Sequence, residues 1–372
     1  MNAPQGNERR KIRLAIVGMG NCASSLVQAI AYCAEQGEAA IGVAFPDLGG
    51  YRPQDIEVVA AFDVDARKVG RPVGEAALAE PNCTEIFHRD LAIHGAIVSR
   101  GPDLDGVSAW MRNQPPARSF VPSTGPALDR DGVVDELKAA KAEVVIIFLP
   151  VGSIEAVEFY ADCAIRAGCG LVNGIPVFIA SDARWAARFR EANLPVLGDD
   201  FKAQFGATIV HRTLADLASK RGVQIDRTYQ LNVGGNTDFL NMMDMNRLAN
   251  KRKSKTEAVQ AALAEPLDED QIRIGPSDYV PWLMDRKVAY IRLEGRLLGG
   301  ARVNAELRLD VEDSPNAASE AMTAIRCARI AMERGLSGAI EDASAFLFKH
   351  PPQQMADPDA FRRLQAFAGL DD

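Results

Sequence analysis

Residues 12–23, which read IRLAIVGMGNCA, decide the fold of the chain. An apolar run leads into Gly18 and Gly20, and a helix-compatible stretch follows. A buried strand, a glycine turn and a helix N-terminus together bind a pyrophosphate, because the backbone can approach closely and the helix supplies N–H groups and positive dipole. The stretch therefore predicts a dinucleotide site at Gly18, Gly20, Asn21 and Cys22.

Asp63 ends the second apolar run, Ile56–Phe62, and is the acid expected to bind the ribose hydroxyls. It stands 43 residues after Gly20, where about 20 is usual, because the loop-like segment 36–55 intervenes. A carboxylate at this point disfavours a 2′-phosphate, so the sequence predicts NAD rather than NADP. The alternative is a glycine turn in an α/β fold that has lost its nucleotide.

Further along, short apolar runs alternate with helix-like stretches. The apolar runs are 143–149, 170–172 and 194–197, and the helix-like stretches are 154–166 and 182–192. Strands that alternate with helices predict a parallel sheet with helices on both faces. The irregular segments 36–55 and 80–130 interrupt the pattern, and segments of this kind usually form functional or oligomeric surfaces.

The pattern changes after about residue 205. Residues 226–233 alternate like a strand, and two β-patterned runs, 287–298 and 301–311, meet at a glycine pair that predicts a hairpin. Ser314 and Pro315 are interpreted as the N-cap and first residue of a long helix. We expect the C-terminal helices, which lack a sheet of their own, to pack on the first domain.

These patterns predict an α/β fold with a Rossmann-type doubly wound parallel sheet and a second, α+β domain. The expected domains are 1–205 plus 312–372 for NAD binding, and 206–311 for the second domain.

The composition excludes several classes of protein. Of the 372 residues, 47% are hydrophobic and 25% are charged, which is the balance of a globular protein. The net charge of −8 disfavours nucleic acid and anionic membranes as partners, because both require a basic surface. The six cysteines and four histidines show no metal-site spacing. No signal peptide or membrane-spanning run is apparent, so we expect a cytoplasmic protein.

A lysine cluster stands out in this acidic chain. Lys251 and Lys255 are four residues apart, so one helical turn would place them on the same face. The cluster is either a solvated basic patch or a clamp for a phosphorylated, polyhydroxylated substrate. Lys287 opens a β run and Lys349 ends the last helix-like stretch, and neither is informative alone.

Acidic residues provide further candidates. Asp199 and Asp200 stand where a parallel strand would end, which is where such sheets collect ligands. Asp238 lies in a Gly-Asn-Thr-Asp turn and Asp313 precedes the Ser-Pro helix start. Each of these two is either a site residue or an ordinary turn or cap residue.

Several segments together resemble a known family. They are VGMGNCASSLVQ at 17–28, AAFDVDARKVG at 60–70, LPVGS at 149–153, VNGIPVFIASD at 172–182, GDDFKAQFGAT at 198–208, LNVGGNTDFLNM at 231–242, SKTEAV at 254–259, IGPSDYVPWLMDRKVAYIRLEG at 274–295 and VEDSPN at 311–316. The chain is similar, from about residue 11 to about residue 352, to the inositol-3-phosphate synthase (myo-inositol-1-phosphate synthase) family of the compact bacterial type.

The resemblance implies a homotetramer whose Rossmann domain binds NAD and whose second domain covers the active site. It implies redox-neutral cyclisation of glucose 6-phosphate to 1D-myo-inositol 3-phosphate. C5 is oxidised, C6 is deprotonated, C6 attacks the C1 aldehyde, and the C5 ketone is reduced. The resemblance leaves an activating cation open, and the substrate's own phosphate is a candidate base for C6.

The resemblance also implies site residues. The catalytic set is Lys251, Lys255, Lys287, Lys349, Asp200, Asp238 and Asp313. Lys251 and Lys349 are expected to serve O5 and O1, and Lys255 and Lys287 the phosphate or adjoining hydroxyls. The cofactor set is Gly18, Gly20, Asn21, Cys22, Asp63, Pro150, Gly152, Asn173, Gly174, Asp199 and Asp200. The substrate set is Lys202, Gly206, Ala207, Thr208, Asn236 and Asn241.

The sequence departs from the family pattern at several points. Ala203 replaces a serine expected near the phosphate, the segment 80–130 matches poorly, and the register at Lys251 can slip to Lys253. The alternatives are a paralogue that cyclises another sugar phosphate, and an NAD-binding oligomeric protein without turnover. An ordinary dehydrogenase is disfavoured because no catalytic His or Tyr-x-x-x-Lys stands out.

Overall fold

A computed structural model describes residues 11–247 and 249–370, without the side chains of Ala249, Lys251 and Arg252. The described chain forms a seven-stranded sheet and a four-stranded sheet with helices around them. The predicted fold class, a doubly wound parallel sheet joined to a second α and β region, is confirmed.

The first sheet is parallel throughout, with the order β11-β6-β5-β4-β1-β2-β3. Its strands are β1 (Ile12–Val17), β2 (Ile56–Asp63), β3 (Val98–Arg100), β4 (Val144–Ile147), β5 (Gly170–Asn173), β6 (Pro195–Leu197) and β11 (Gly338–Ala339). The order reverses between β1 and β4, and ligands of such sheets bind at this reversal.

The second sheet has the order β10-β9-β7-β8. Its strands are β7 (Gln224–Gly234), β8 (Ile272–Tyr279), β9 (Arg286–Arg296) and β10 (Arg302–Glu312). β9 runs antiparallel to β7 and β10, whereas β8 pairs parallel with β7. The hairpin predicted at Gly299 and Gly300 joins β9 to β10.

Twelve α-helices lie within the described residues. They are α1 (Asn21–Gln36), α2 (Val73–Ala77), α3 (Ala109–Arg112), α4 (Arg130–Ala139), α5 (Ile154–Ala167), α6 (Ala183–Glu191), α7 (Ala207–Lys220), α8 (Thr237–Asn241), α9 (Ala249–Gln260), α10 (Asp313–Glu333), α11 (Glu341–Leu347) and α12 (Asp357–Ala368). None of the described helices has the length and apolar character needed to cross a bilayer.

Alternate residues of β1 build two apolar layers. Ile12, Leu14 and Ile16 pack with α1, α10, α11 and α12 on one face of the first sheet. Ala15 and Val17 pack with α4, α5 and α6 on the other. Side chains of a strand point alternately to its two faces, so a strand that is apolar at four successive positions, 14–17, must be covered on both. The C-terminal helices therefore pack on the first sheet, as predicted.

The start of one helix differs from its prediction, and several short elements were not predicted. The long helix begins at Asp313 with Glu312 as N-cap, and Ser314 instead bonds Asp285. Strand β3 lies inside the segment 80–130, and β8 and α12 were not predicted. Their signals are weak because β3 has three residues, β8 contains a proline, and α12 follows Pro351 and Pro352.

Candidate active site

A deep cleft lies at the carboxyl ends of β1, β2, β4, β5 and β6, where the second sheet faces the first. It encloses about 1730 Å³ of space, part of it open to solvent. Residues from both sheets line it, including Gly20 after β1, Asp200 after β6 and Lys287 on β9. The cleft therefore requires both halves of the fold.

The glycine turn forms one wall of the cleft. Gly18 has a φ of +90°, and a Cβ placed there would lie 2.7 Å from the carbonyl oxygen of Phe148. A Cβ on Gly20 would meet no protein atom within 4 Å. Gly20 is also the N-cap of the 16-residue helix α1 and, being glycine, makes no side-chain capping hydrogen bond. A helix N-terminus beside a glycine whose Cβ position faces open space fits a pyrophosphate.

The peptide units of Met19 are held from both sides. Its N–H donates to Asp63 Oδ2 at 2.6 Å, and its carbonyl accepts from Lys68 Nζ at 2.7 Å and from Asn82 Nδ2 at 3.0 Å. Asp63 also accepts two backbone N–H groups that follow it. Asp63 therefore shapes the turn as well as facing the cleft. Lys68, which the sequence did not single out, is buried, and burial lowers its pKa.

Three of the predicted lysines line the cleft from three different elements. Lys255 lies on α9 and is 7% exposed, Lys287 opens β9, and Lys349 follows α11. Lys287 pairs with Asp313, and Lys349 pairs with Asp200 at 3.0 Å. The side chain of Lys251 lies outside the described residues, although its backbone belongs to α9, one turn before Lys255.

Asp200 connects two of these elements. Its Oδ1 accepts from Lys349 Nζ, and its Oδ2 accepts from Ser254 Oγ at 2.6 Å. Ser254 precedes Lys255 on α9, so one carboxylate positions the α9 lysine and the C-terminal lysine together. Asp200 has a φ of +62°, a left-handed conformation that aspartate tolerates better than most residues. The chain thereby turns sharply after β6 and directs Asp200 into the cleft.

Asp199 and Asn173 are fully buried and do not line the cleft. Asn173 Nδ2 donates to Asp199 Oδ1 at 2.7 Å. Asp199 also accepts from the backbone of Ile179 and Ala180 and from both donors of Ser181. Burial raises the pKa of Asp199 despite these donors. Both residues fix the loop after β5 through these hydrogen bonds.

Asp285, a buried carboxylate that the sequence did not single out, positions two of the predicted acids, Asp238 and Asp313. It is 1% exposed and accepts from Asn236 Nδ2 at 2.9 Å and from Ser314 Oγ at 2.9 Å. Asn236 caps α8, which carries Asp238, and Ser314 follows Asp313. Burial, together with the Asp313 carboxylate, raises the pKa of Asp285 to about 6. One buried acid therefore fixes the positions of Asp238 and Asp313.

Cys22 lies against the same carboxylates. Burial raises the pKa of its thiol to about 12, with further contributions from Asp313, Asp285 and Asp238. The thiol is therefore protonated at neutral pH and is a poor nucleophile.

The N-terminus of α7 also opens into the cleft. Gly206, Ala207 and Thr208 line it, and Gly206 caps the helix without a side-chain hydrogen bond. Lys202, predicted to bind substrate, is 2% exposed and does not line the cleft. Its ammonium donates to Ala345 O at 2.8 Å and to a carboxylate of α12 at 3.0 Å. These two bonds hold the Lys202 side chain inside the protein.

Gly152 and Asn241 also lie outside the cleft lining. Arg247 covers Gly152, since a Cβ there would lie 2.7 Å from Arg247 Cβ. Asn241 Nδ2 donates to Val151 O at 2.9 Å, and its buried Oδ1 has no hydrogen-bond partner among the described residues. These two residues hold the loop after β4.

Two polar residues of β7, Gln230 and Asn232, form the floor of the cleft and were not predicted. They are almost fully buried on a strand whose inward positions would normally be apolar. The sequence signal that could have identified them is the presence of polar residues at those positions of an alternating strand that face inward.

The structure thus brings most of the predicted residues to one cleft. Those that line it are Gly18, Gly20, Asn21, Cys22, Asp63, Pro150, Gly174, Asp200, Gly206, Ala207, Thr208, Asn236, Asp238, Lys255, Lys287, Asp313 and Lys349. Those whose described side chains or backbone do not are Gly152, Asn173, Asp199, Lys202 and Asn241. Within the described ranges, no group of three or more His, Cys, Asp or Glu side chains is arranged to hold a metal ion.

Sequence comparison finds close relatives over nearly the whole chain. The chain is 49% identical over 363 residues to inositol-3-phosphate synthase from Mycolicibacterium smegmatis, covering 96% of this chain and 98% of the relative. It is also 49% identical to inositol-3-phosphate synthase from Corynebacterium glutamicum, with the same coverage. The family model for myo-inositol-1-phosphate synthase matches residues 206–314.

Structural comparison agrees. The crystal structure of Ari2 superposes with a TM-score of 0.77 at 32% identity, covering 97% of this chain and 99% of Ari2. Inositol-3-phosphate synthase from Caenorhabditis elegans superposes with a TM-score of 0.72 over 98% of this chain and 87% of that chain, and at 15% identity it shows the shared fold. On the strength of the close relatives, this chain belongs to the myo-inositol-1-phosphate synthase family.

Proposed function

We propose that this protein is an inositol-3-phosphate synthase that uses NAD to cyclise glucose 6-phosphate to 1D-myo-inositol 3-phosphate. The relatives at 49% identity carry that name. The observation that carries the proposal is the cleft itself. Lysines from α9, β9 and the segment after α11 converge beside a dinucleotide turn, which a hydride transfer alone does not require.

The residues present fit NAD. The open backbone at Gly20 and the N-terminus of α1 would hold the pyrophosphate, and the carboxylate of Asp63 would hold a ribose. When bound, the nicotinamide supplies the oxidation of C5 at the start of the reaction and its reduction at the end.

The lysines account for the intervening chemistry. Negative charge develops on O5 during enolisation and on O1 during ring closure, and fixed ammonium groups in a partly closed cleft stabilise both. We assign O5 and O1 to Lys251 and Lys349, and the phosphate and adjoining hydroxyls to Lys255 and Lys287. Asp200 orients Lys349, because its carboxylate bonds both Lys349 and the residue before Lys255.

The uncapped N-terminus of α7 is the proposed phosphate site. Its free N–H groups and helix dipole favour an anion at Gly206–Thr208. Lys202 takes part indirectly, because its buried bonds to Ala345 and Asp357 fix the segment that leads into α7. Asp199 and Asn173 act in the same way on the loop after β5. An activating cation remains a prediction.

We further propose that the protein is a cytoplasmic homotetramer assembled through residues 206–311, with residues 1–205 and 312–372 forming the NAD-binding domain. The net charge of −8 supports a protein without nucleic-acid or membrane partners. Light scattering on purified protein would test the assembly, and a mass of four 40.2 kDa chains is expected.

Phosphorus NMR of the protein with glucose 6-phosphate and NAD, recorded alongside NADH absorbance, tests the function. The expected result is a new inositol phosphate signal with no lasting NADH. NADH that accumulates without a cyclised product would replace the proposal with a dehydrogenase. Conversion of another sugar phosphate, but not of glucose 6-phosphate, would favour the paralogue, for which Ala203 in the cleft lining is the supporting observation.

A further inference from the structure

A ladder of buried polar side chains runs along the inward face of β7. Thr228, Gln230 and Asn232 alternate along the strand and are 4%, 1% and 0% exposed. His211 of α7, also 0% exposed, bridges Thr228 and Gln230. Gln230 and Asn232 line the cleft, so this ladder meets whatever binds there.

The Asn232 end of the ladder fixes the orientation of Gln230. Asn232 Nδ2 donates to the carbonyl of Gly275 at 2.8 Å. Because a carbonyl only accepts, Asn232 must turn its oxygen toward Gln230, whose Nε2 donates to it at 3.0 Å. Gln230 Oε1 therefore points the other way, toward His211.

The Thr228 end fixes the tautomer of His211. The Thr228 hydroxyl donates its single proton to the carbonyl of Arg292 at 2.6 Å. His211 Nε2 lies 2.7 Å from the same hydroxyl oxygen, and because the Thr228 proton is given to Arg292, we assign the proton of this contact to Nε2. Burial lowers the pKa of His211 to about 4, so the ring is neutral at pH 7 and Nδ1 is a bare acceptor.

The hydrogen bonds at the two ends of the ladder leave the contact between Gln230 and His211 without a proton. Gln230 Oε1 and His211 Nδ1 face each other at 3.4 Å, and both are acceptors in this arrangement. Among the described residues no other group donates to Gln230 Oε1. A buried acceptor without a donor costs free energy, which a ligand that supplies a proton would recover.

We infer that Gln230 Oε1 accepts a hydrogen bond from a hydroxyl group of the bound sugar phosphate, which makes Gln230 a specificity-determining residue. This inference rests on the proposed function. An ionised phosphate has no proton to donate, whereas a hydroxyl does. The reaction acts at C1, C5 and C6, so the hydroxyls on C2, C3 and C4 are the groups left for recognition.

The test compares kcat/KM for glucose 6-phosphate with that for its 2-deoxy, 3-deoxy and 4-deoxy analogues. Wild-type protein is expected to lose about tenfold or more with one analogue. Gln230→Met, which keeps the length of the side chain and removes the acceptor, should lose most of that discrimination. Gln224→Met makes the same change at an exposed position of β7 and should keep it. An unchanged wild-type pattern in Gln230→Met overturns the inference, provided that NAD affinity shows the variant to be folded.

A second measurement uses the unaltered protein. Nitrogen-15 NMR of histidine-labelled protein reports which ring nitrogen of each of the four histidines carries the proton. The signal lost in His211→Asn identifies His211. A proton on Nε2 supports the inference, and a proton on Nδ1 overturns it, because Gln230 would then have its donor within the protein. This result does not depend on turnover, so it separates failure of the inference from failure of the proposed function.

Discussion

At the scale of single residues, the lysine run of α9 poses the sharpest question of register. Lys255 lines the cleft, and Lys251 lies one turn earlier on the same helix. Lys253 is 55% exposed, stands over the ring of Phe178 at 5.3 Å and approaches Glu257. A two-residue offset on a helix turns a side chain to another face, so Lys253 and Lys255 cannot share one role.

We predict that Lys251→Ala lowers turnover of glucose 6-phosphate at least about 100-fold, because it removes the cation that we assign to a developing oxyanion. The affinity for NAD should be unchanged. Lys253→Ala is the matched control and should retain turnover, since Lys253 faces solvent and Phe178. Product formation and NAD titration measure the two effects. Loss of turnover in Lys253→Ala with retention in Lys251→Ala would show that the register is shifted.

The site residues that the sequence predicted correctly are those whose positions follow from a local pattern of strands and turns. Gly18, Gly20 and Asp63 follow from a strand, a turn and a second strand, and all three line the cleft. Gln230 was missed although its polar side chain falls at a buried position of an alternating strand. Asp285 was not predictable, because its role depends on tertiary contacts with Asn236 and Ser314. Lys202 was placed in the substrate site, and the structure turns it inward.

At the scale of elements, the turn between β1 and α1 allows stability and binding to be separated. Gly18 has a φ of +90° and a close backbone neighbour, the carbonyl of Phe148. Gly20 has a φ of −79°, which any residue adopts, and open space where a Cβ would point. The two glycines therefore serve different ends, the first for the fold of the turn and the second for access of a ligand.

Gly18→Ala is expected to lower the free energy of unfolding by roughly 2 kcal/mol or more, through the left-handed φ and the contact with Phe148 O. Gly20→Ala should leave unfolding unchanged and weaken NAD binding at least about tenfold, since its methyl group enters the proposed pyrophosphate space. Urea unfolding and NAD titration of both variants check the pair. Wild-type NAD affinity in Gly20→Ala would remove the cofactor from this turn.

Elements with a strong period were predictable, and short or proline-bearing ones were not. β4 is apolar at all four positions, and α5 follows it with a clear helical pattern. β8 contains Pro276 and pairs parallel with β7, so neither a regular hydrophobic period nor a hairpin turn indicates this strand in the sequence. Its place in the sheet depends on tertiary packing against α9, where Val259, Ile272 and Ile274 form a small core.

At the scale of the whole molecule, a buried charge network joins the two parts of the fold. Asp357 of α12 accepts from Lys202 at 3.0 Å and from Arg212 of α7 at 2.9 Å. Glu320 of α10 is 8% exposed and lies within electrostatic range of Lys202. Helices α7, α10 and α12 are thus tied to the segment after β6, behind the proposed phosphate site, so stability and site geometry should respond together to pH.

Four buried groups act on stability in opposite directions as pH changes. Burial lowers the pKa of His94 and His211 to about 4, so the unfolded chain binds more protons and their contribution to stability rises from pH 4 toward 6.5. Burial raises the pKa of Asp285 to about 6 and of Glu320 to about 7, so the folded protein binds more protons. The contribution of these acids falls as pH rises, and wild-type stability should change little from pH 4.5 to 6.5.

Glu320→Gln removes one of the opposing acids while keeping the shape of the side chain. Above pH 4.5 the unfolded wild-type chain releases the Glu320 proton that the folded protein holds up to about pH 7. Between pH 5 and pH 7.5 the free energy of unfolding of the wild type should therefore fall by roughly 2–3 kcal/mol relative to that of the variant. The slope is about 1.4 kcal/mol for each pH unit. Urea unfolding at both pH values and one protein concentration measures this difference.

Glu341→Gln is the control, because Glu341 lies at an exposed position of α11, and its stability should follow that of the wild type across this pH range. If Glu320→Gln and the wild type follow parallel curves, Glu320 is ionised in the folded protein, and Lys202 and Arg326 must then neutralise it more strongly than burial opposes its charge.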